Sequence, residues 1–129
     1  MISEQKFREI IIFGCEIYNL NKIGDAHEKW EEVWRFGDII QKKAVRGLIQ
    51  ISGATIQFER IKMDSVRYLL KLAIKNLSAQ EILNEVININ QLVADLKKII
   101  IKLENNNLKE FKINIKFQSN NFMKNDRYT

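Results

Sequence analysis

Apolar side chains recur every three and four residues through most of this chain, the spacing that keeps them on one face of an α-helix. Phe7, Ile10, Ile11, Phe13, Ile17 and Leu20 predict a first helix over about 3–20. Asn19-Leu20-Asn21-Lys22-Ile23-Gly24 then reads as a turn, because Asn and Gly tolerate left-handed backbone. Asp25, with Glu28 three residues on, reads as the capping box of a second helix that ends near Phe36-Gly37-Asp38. A third helix, over roughly 39–61, carries two seams, Ala44-Leu48-Ile51-Thr55-Phe58 and Val45-Ile49-Ser52-Ile56. Its remaining side, Gly47, Gln50, Ala54 and Gln57, is small or amide-bearing. Neighbours on several sides suit this pattern, so the third helix is predicted to be central, with Gly47 permitting close approach.

A fourth helix is predicted from Asp64 or Ser65 through Val66, Leu69, Leu70, Ala73 and Leu77. Ser78-Ala79-Gln80-Glu81 reads as another capping box, opening a long helix through Ile82, Val86, Ile89, Val93, Leu96, Ile100 and Leu103. That 82–103 seam suits packing inside a bundle, and equally suits a homo-oligomer interface. Asn105-Asn106-Asn107 breaks the helix, and Phe111 to Phe117 then alternates with period two, the mark of a strand. A single strand has three fates: an arm packed on the bundle, pairing with another copy, or disorder. The last dozen residues are expected to be mobile. The prediction is an all-α compact bundle of about five helices over 1–104, with a polar, basic, extended or disordered extension over 105–129.

Composition narrows the picture. The chain has 129 residues, 46% of them hydrophobic, enough for one core and too few for two. It has no proline, which fits long helices with short connections. One cysteine, Cys15, excludes an intrachain disulfide; it reads as a small buried hydrophobe in a reducing compartment. The start does not resemble a signal peptide, and no apolar run approaches the roughly 20 residues of a membrane span. A cytoplasmic protein with no membrane partner is expected. The net charge is +5, yet residues 1–104 hold 16 Lys/Arg against 14 Asp/Glu, while 105–129 hold 5 against 2. Much of the basic excess is in the tail, a weak argument for a nucleic-acid partner. Lys42, Lys43 and Arg46 read as a solvated face.

Candidate chemistry concentrates in one segment, Asp25 to Trp34. At about 100° per residue, His27, Glu31, Trp30 and Trp34 fall within an arc of roughly 100°, with Glu28 and Glu32 outside it. His27-Glu28-Lys29-Trp30-Glu31 has the spacing H-E-x-x-E, in which residues four apart project to one side. One reading makes His27 and Glu31 ligands of a divalent metal ion, Glu28 the base acting on bound water, and Trp30 and Trp34 an apolar wall. A third ligand would come from Glu16, Glu59 or Asp64, and Gln50 would approach from the third helix. The other reading makes His27 and Glu31 a hydrogen-bonded structural pair, with tryptophans filling volume between helices, in a non-catalytic binding or scaffold protein.

The segments Tyr18-Asn19-Leu20-Asn21-Lys22, Asp25 to Arg35 and Gly47-Leu48-Ile49-Gln50 together resemble the family called domain of unknown function 309. Its pattern is approximately F-N-x-G-x-[FY]-[FW]-E-A-H-E-x-[LW]-E-x-x-W, followed by a G-L-I-Q helix, and the likeness covers about residues 10–77. His27, Glu28, Glu31 and Trp34 match the first motif and Gln50 the second. Asn21 stands where the pattern has glycine, Gly24 where it has an aromatic residue, and Asp25 where it has glutamate. The resemblance implies a small helical bundle and a provisional label of metal-dependent hydrolase. A second histidine that would complete a zinc site is absent; the end of the G-L-I-Q helix reads Gln57-Phe58.

Overall fold

The structure, a computed structural model, describes residues 1–118. Five α-helices follow one another: α1 (Glu4–Asn19), α2 (Ile23–Phe36), α3 (Ile39–Glu59), α4 (Met63–Ala79) and α5 (Ile89–Glu104). A 3-10 turn over Ile82–Glu85 separates the last two. Each helix packs on the next, and α3 lies between α2 and α4, with the α4 contact the most extensive. The predicted all-α bundle with a central third helix is therefore the observed fold. None of the helices among the described residues is long and apolar enough to cross a membrane.

Short connections produce this arrangement. Three helices end in the same way: the residue after the C-cap turns left-handed, at Asn21 (φ 67°), Ile61 (φ 59°) and Asn106 (φ 52°). The next N–H then reaches back to Ile17, Gln57 and Lys102 respectively, the Schellman pattern that satisfies orphan carbonyls. At the first of these turns the chain enters α2 at once. The helix begins at Ile23, which is buried, and Asp25 lies inside the first turn instead of capping it. A true capping box forms instead at Asp38, whose carboxylate accepts from the Gln41 N–H while the Gln41 amide oxygen accepts from the Asp38 N–H.

The predicted long final helix is divided. Helix α4 continues through Ser78 and Ala79, so no cap forms there. Gln80 accepts from the Leu83 N–H to hold the 3-10 turn, and Asn88 caps α5 by accepting from the Gln91 N–H. Leu83, Val86 and Ile87 are all buried in the connection between α4 and α5. The inward seam of α5 becomes Ile89, Leu92, Leu96, Ile99 and Leu103, with Val93 and Ile100 on its flank.

Residues 105–118 return over the bundle as an extended arm. Ile113 and Ile115 point inward and are buried, whereas Lys112, Asn114 and Lys116 are exposed, so the period-two alternation is real. The arm's partner is the short segment before α5, through an antiparallel bridge between Ile87 and Phe117. The Asn19 side chain completes the attachment: its amide nitrogen donates to the Ile115 carbonyl and its oxygen accepts from the Ile115 N–H, both at 2.8 Å. The expected mobile end falls almost wholly on residues 119–129, outside the described residues.

Two glycines set helix spacing. A Cβ on Gly14 would lie 2.2 Å from Nε1 of Trp30, and one on Gly47 would lie 2.6 Å from Cγ of Leu77. Gly47 thus permits the α3–α4 approach expected from the sequence, while Gly14 accepts an entire indole. Gly14→Ala should destabilise the protein by about 1–3 kcal/mol in chemical denaturation, because a buried rigid ring has no room to retreat. Ile61 is a β-branched residue held left-handed and 81% exposed, so it carries strain without burial. Ile61→Gly should stabilise by about 0.5–1 kcal/mol, read as a higher thermal midpoint.

Candidate functional site

The α2–α3 interface carries the predicted segment. Helical spacing brings Glu31 beside His27, with Oε1 3.3 Å from Nε2. The other ring nitrogen, Nδ1, lies 2.6 Å from Oγ of Ser52 on α3. The Ser52 oxygen also lies 2.7 Å from the Ile49 carbonyl, so its one proton serves either that carbonyl or Nδ1, and the ring tautomer follows that choice. Nε2 is the nitrogen that faces Glu31: when Nδ1 accepts from Ser52, Nε2–H is the donor toward the carboxylate, and when Nδ1 donates, Nε2 offers a lone pair to a cation shared with Glu31. Side-chain exposures of 29% for His27 and 36% for Glu31 leave that side open to water.

The rest of the predicted set divides. Trp30 is buried on the α1 side, stacked on Tyr18 with ring centres 5.9 Å apart. Its Nε1–H has no hydrogen-bond partner among the described residues. Trp34 is partly exposed, with the Arg46 guanidinium 5.1 Å from its ring centre. The two tryptophans therefore face different neighbours and do not enclose His27. Glu28, the expected base, has a 70% exposed side chain that pairs with Arg35 and lies about 100° around the helix from His27. Gln50 turns the other way, accepting at 2.8 Å from the Asn76 amide on α4. Ser52, two residues further along α3, occupies the place expected for Gln50. Its signal was its position in the Val45-Ile49-Ser52-Ile56 seam, where a lone hydroxyl among apolar residues needs a partner.

The donor set limits the chemistry. Catalytic zinc is ordinarily held by three protein ligands. Among the described residues no third His, Cys, Asp or Glu joins His27 and Glu31. Glu16 and Glu59 are exposed, and Asp64 pairs with Arg67 on α4. These residues do not fit a catalytic zinc centre. Ser, His and Glu are also the ingredients of a hydrolytic triad, but Ser52 is fully buried and no substrate carbonyl can reach it. Cys15 is equally inaccessible, and burial, with a smaller contribution from Glu16, pushes its thiol far above the ordinary range.

A second polar group lies beneath the arm. A cleft of about 650 Å³ runs between the α1–α2 turn, Thr55 and residues 110–114. At its base Tyr18 and Thr55 share a hydrogen bond of 2.8 Å, and Thr55 donates onward to the Ile51 carbonyl. Burial pushes the Tyr18 phenol up to about 12 against a smaller downward effect of the Thr55 contact. The neutral phenol is therefore favoured by the folded state. Its contribution is complete below about pH 10, where the unfolded phenol is still protonated, and is lost as pH rises toward 12. Tyr18→Phe should remove roughly 2–3 kcal/mol of alkaline-dependent stability, seen as a flatter profile of unfolding free energy between these values.

No protein-family model and no curated protein matches the chain.

Proposed function

We propose that this is a non-catalytic helical binding or scaffold protein of the cytoplasm, in which His27, Glu31 and Ser52 form a structural polar network. The carrying observation is the 2.6 Å contact between His27 Nδ1 and a wholly buried Ser52 hydroxyl that also lies 2.7 Å from the Ile49 carbonyl. A histidine used this way ties two helices together and fixes its own ring. The single thiol, buried and unpaired, is compatible with a reducing compartment. Much of the 82–103 seam and the isoleucines of the arm lie in the chain's own core, while Ile82, Val93 and Ile100 are only partly buried.

One observation favours the second reading, the hydrolase-like one that the motif resemblance implies. Nε2 and Glu31 face each other at 3.3 Å with solvent access, and a divalent cation could occupy the place of a proton between them. Elemental analysis after exposure to zinc and manganese, followed by desalting, separates the readings. In the structural network, bound metal is well below one equivalent and the same in wild type and His27→Ala. His27→Ala then loses about 1–3 kcal/mol in denaturation, the cost of a broken buried hydrogen bond. One equivalent of metal in wild type, lost in both His27→Ala and Glu31→Gln, overturns the proposal in favour of a metal site.

A further inference from the structure

We infer that the corner between α2 and α3 docks an acidic, amphipathic segment of a partner protein. This deepens the binding-protein reading and rests on it. The α2–α3 connection is only Gly37 and Asp38, and large apolar side chains crowd around it: Phe36 is 59% exposed, Ile39 71% and Ile40 64%, with Trp34 one turn back at 40%. Trp34 and Phe36, two apart on α2, project about 200° from each other; Trp34, in contact with Arg46, and Ile39, on the Arg46 edge of α3, share the side where exposed apolar surface marks an interaction surface. The cap at Asp38 and the bond from the Gln41 amide to the Ile2 carbonyl hold this corner in place, so the patch is presented in a set geometry.

Charge identifies the partner's chemistry. Ile39, Lys43 and Arg46 recur at i, i+4 and i+7, one edge of α3 about 10 Å long. Lys43 and Arg46 are exposed on this edge, Lys42 lies beside them in sequence, and Arg46 rests on the Trp34 ring, so positive charge and exposed apolar surface adjoin here. Lys43 and Arg46 also line a cleft of about 190 Å³ between α3 and α4, floored by Asn76 and Gln80. Two cations over amide groups suit a carboxylate, and the adjoining apolar residues suit a neighbouring leucine, isoleucine or phenylalanine. A second copy of this chain is disfavoured, since a symmetric contact would bring the same cations together. A nucleic-acid backbone would match the charge but would leave Ile39 and Ile40 with nothing to cover them.

Selection of random peptides displayed on phage against the full chain tests the inference. Selected sequences should combine Asp or Glu with large apolar residues. A synthetic peptide from that set should bind with salt-sensitive affinity that falls about tenfold or more in Lys43→Glu/Arg46→Glu, and likewise in Ile39→Ser/Ile40→Ser. All four positions are exposed, and circular dichroism confirms that the variants remain folded. Repeating the selection on the charge-reversed variant should exchange acidic for basic residues. Peptides without acidic enrichment, or binding unchanged in both double variants, overturn the inference. So does self-association in sedimentation that either double variant abolishes, or binding to phosphatidylserine vesicles in place of peptide. Failure here with metal-free, destabilised His27→Ala removes only the docking surface, whereas His27-dependent metal with intact peptide binding removes only the polar-network reading.

Discussion

Helix-to-helix distance in this bundle is governed by two notches. The indole of Trp30 occupies the space where Gly14 lacks a side chain, and Leu77 does the same at Gly47. At both places a large, fully buried residue meets bare backbone, so α1 approaches α2 and α3 approaches α4 more closely than any other residue would allow. Close packing makes such spacing unforgiving, because a displaced ring has no void to enter. Among the described residues the indole N–H has no acceptor. That penalty is tolerated because the ring buries far more apolar surface than the one polar atom costs.

With α2 positioned from the α1 side, its other face meets α3 at His27 and Ser52. The contact is short, and the buried hydroxyl is held between the imidazole and the Ile49 carbonyl of its own helix. The orientation of the ring follows, and with it the direction of Nε2 toward Glu31. The same helix pair continues to its corner, where Trp34 lies against Arg46 instead of entering the core. One interface thus holds a closed polar link in its middle and presents an open apolar and cationic end.

The site was half legible before any coordinates. His27 and Glu31 four residues apart could be placed side by side from helical geometry alone, and they are. Which residue of α3 would face them could not be read the same way. Gln50 and Ser52 are two positions apart, about 200° around the helix, and only the relative rotation of α2 and α3 chooses between them. Trp30 and Trp34 likewise share an arc, yet that arc is wide enough for one to enter the α1 interface and the other to reach solvent. The basic run at 42–46 read as a solvated face, and its relation to the exposed isoleucines emerged only when the corner was formed.

Local signals fared unevenly for a related reason. Asp25-x-x-Glu28 and Ser78-x-x-Glu81 have the right residues for capping boxes, but α2 has already begun at Ile23 and α4 runs on through Ala79, so neither position opens a helix. Asp38-x-x-Gln41 has the same form and is real. Sequence by itself determined the helical class, the central place of α3, the close approach at Gly47 and the alternation of the arm, because each depends on periodicity or side-chain size within one segment. Tertiary structure alone decided where the last helix is cut, what the arm packs against, which hydroxyl meets His27 and which apolar residues remain uncovered. Those outcomes depend on the rotation and offset of one element against another, which no local pattern encodes.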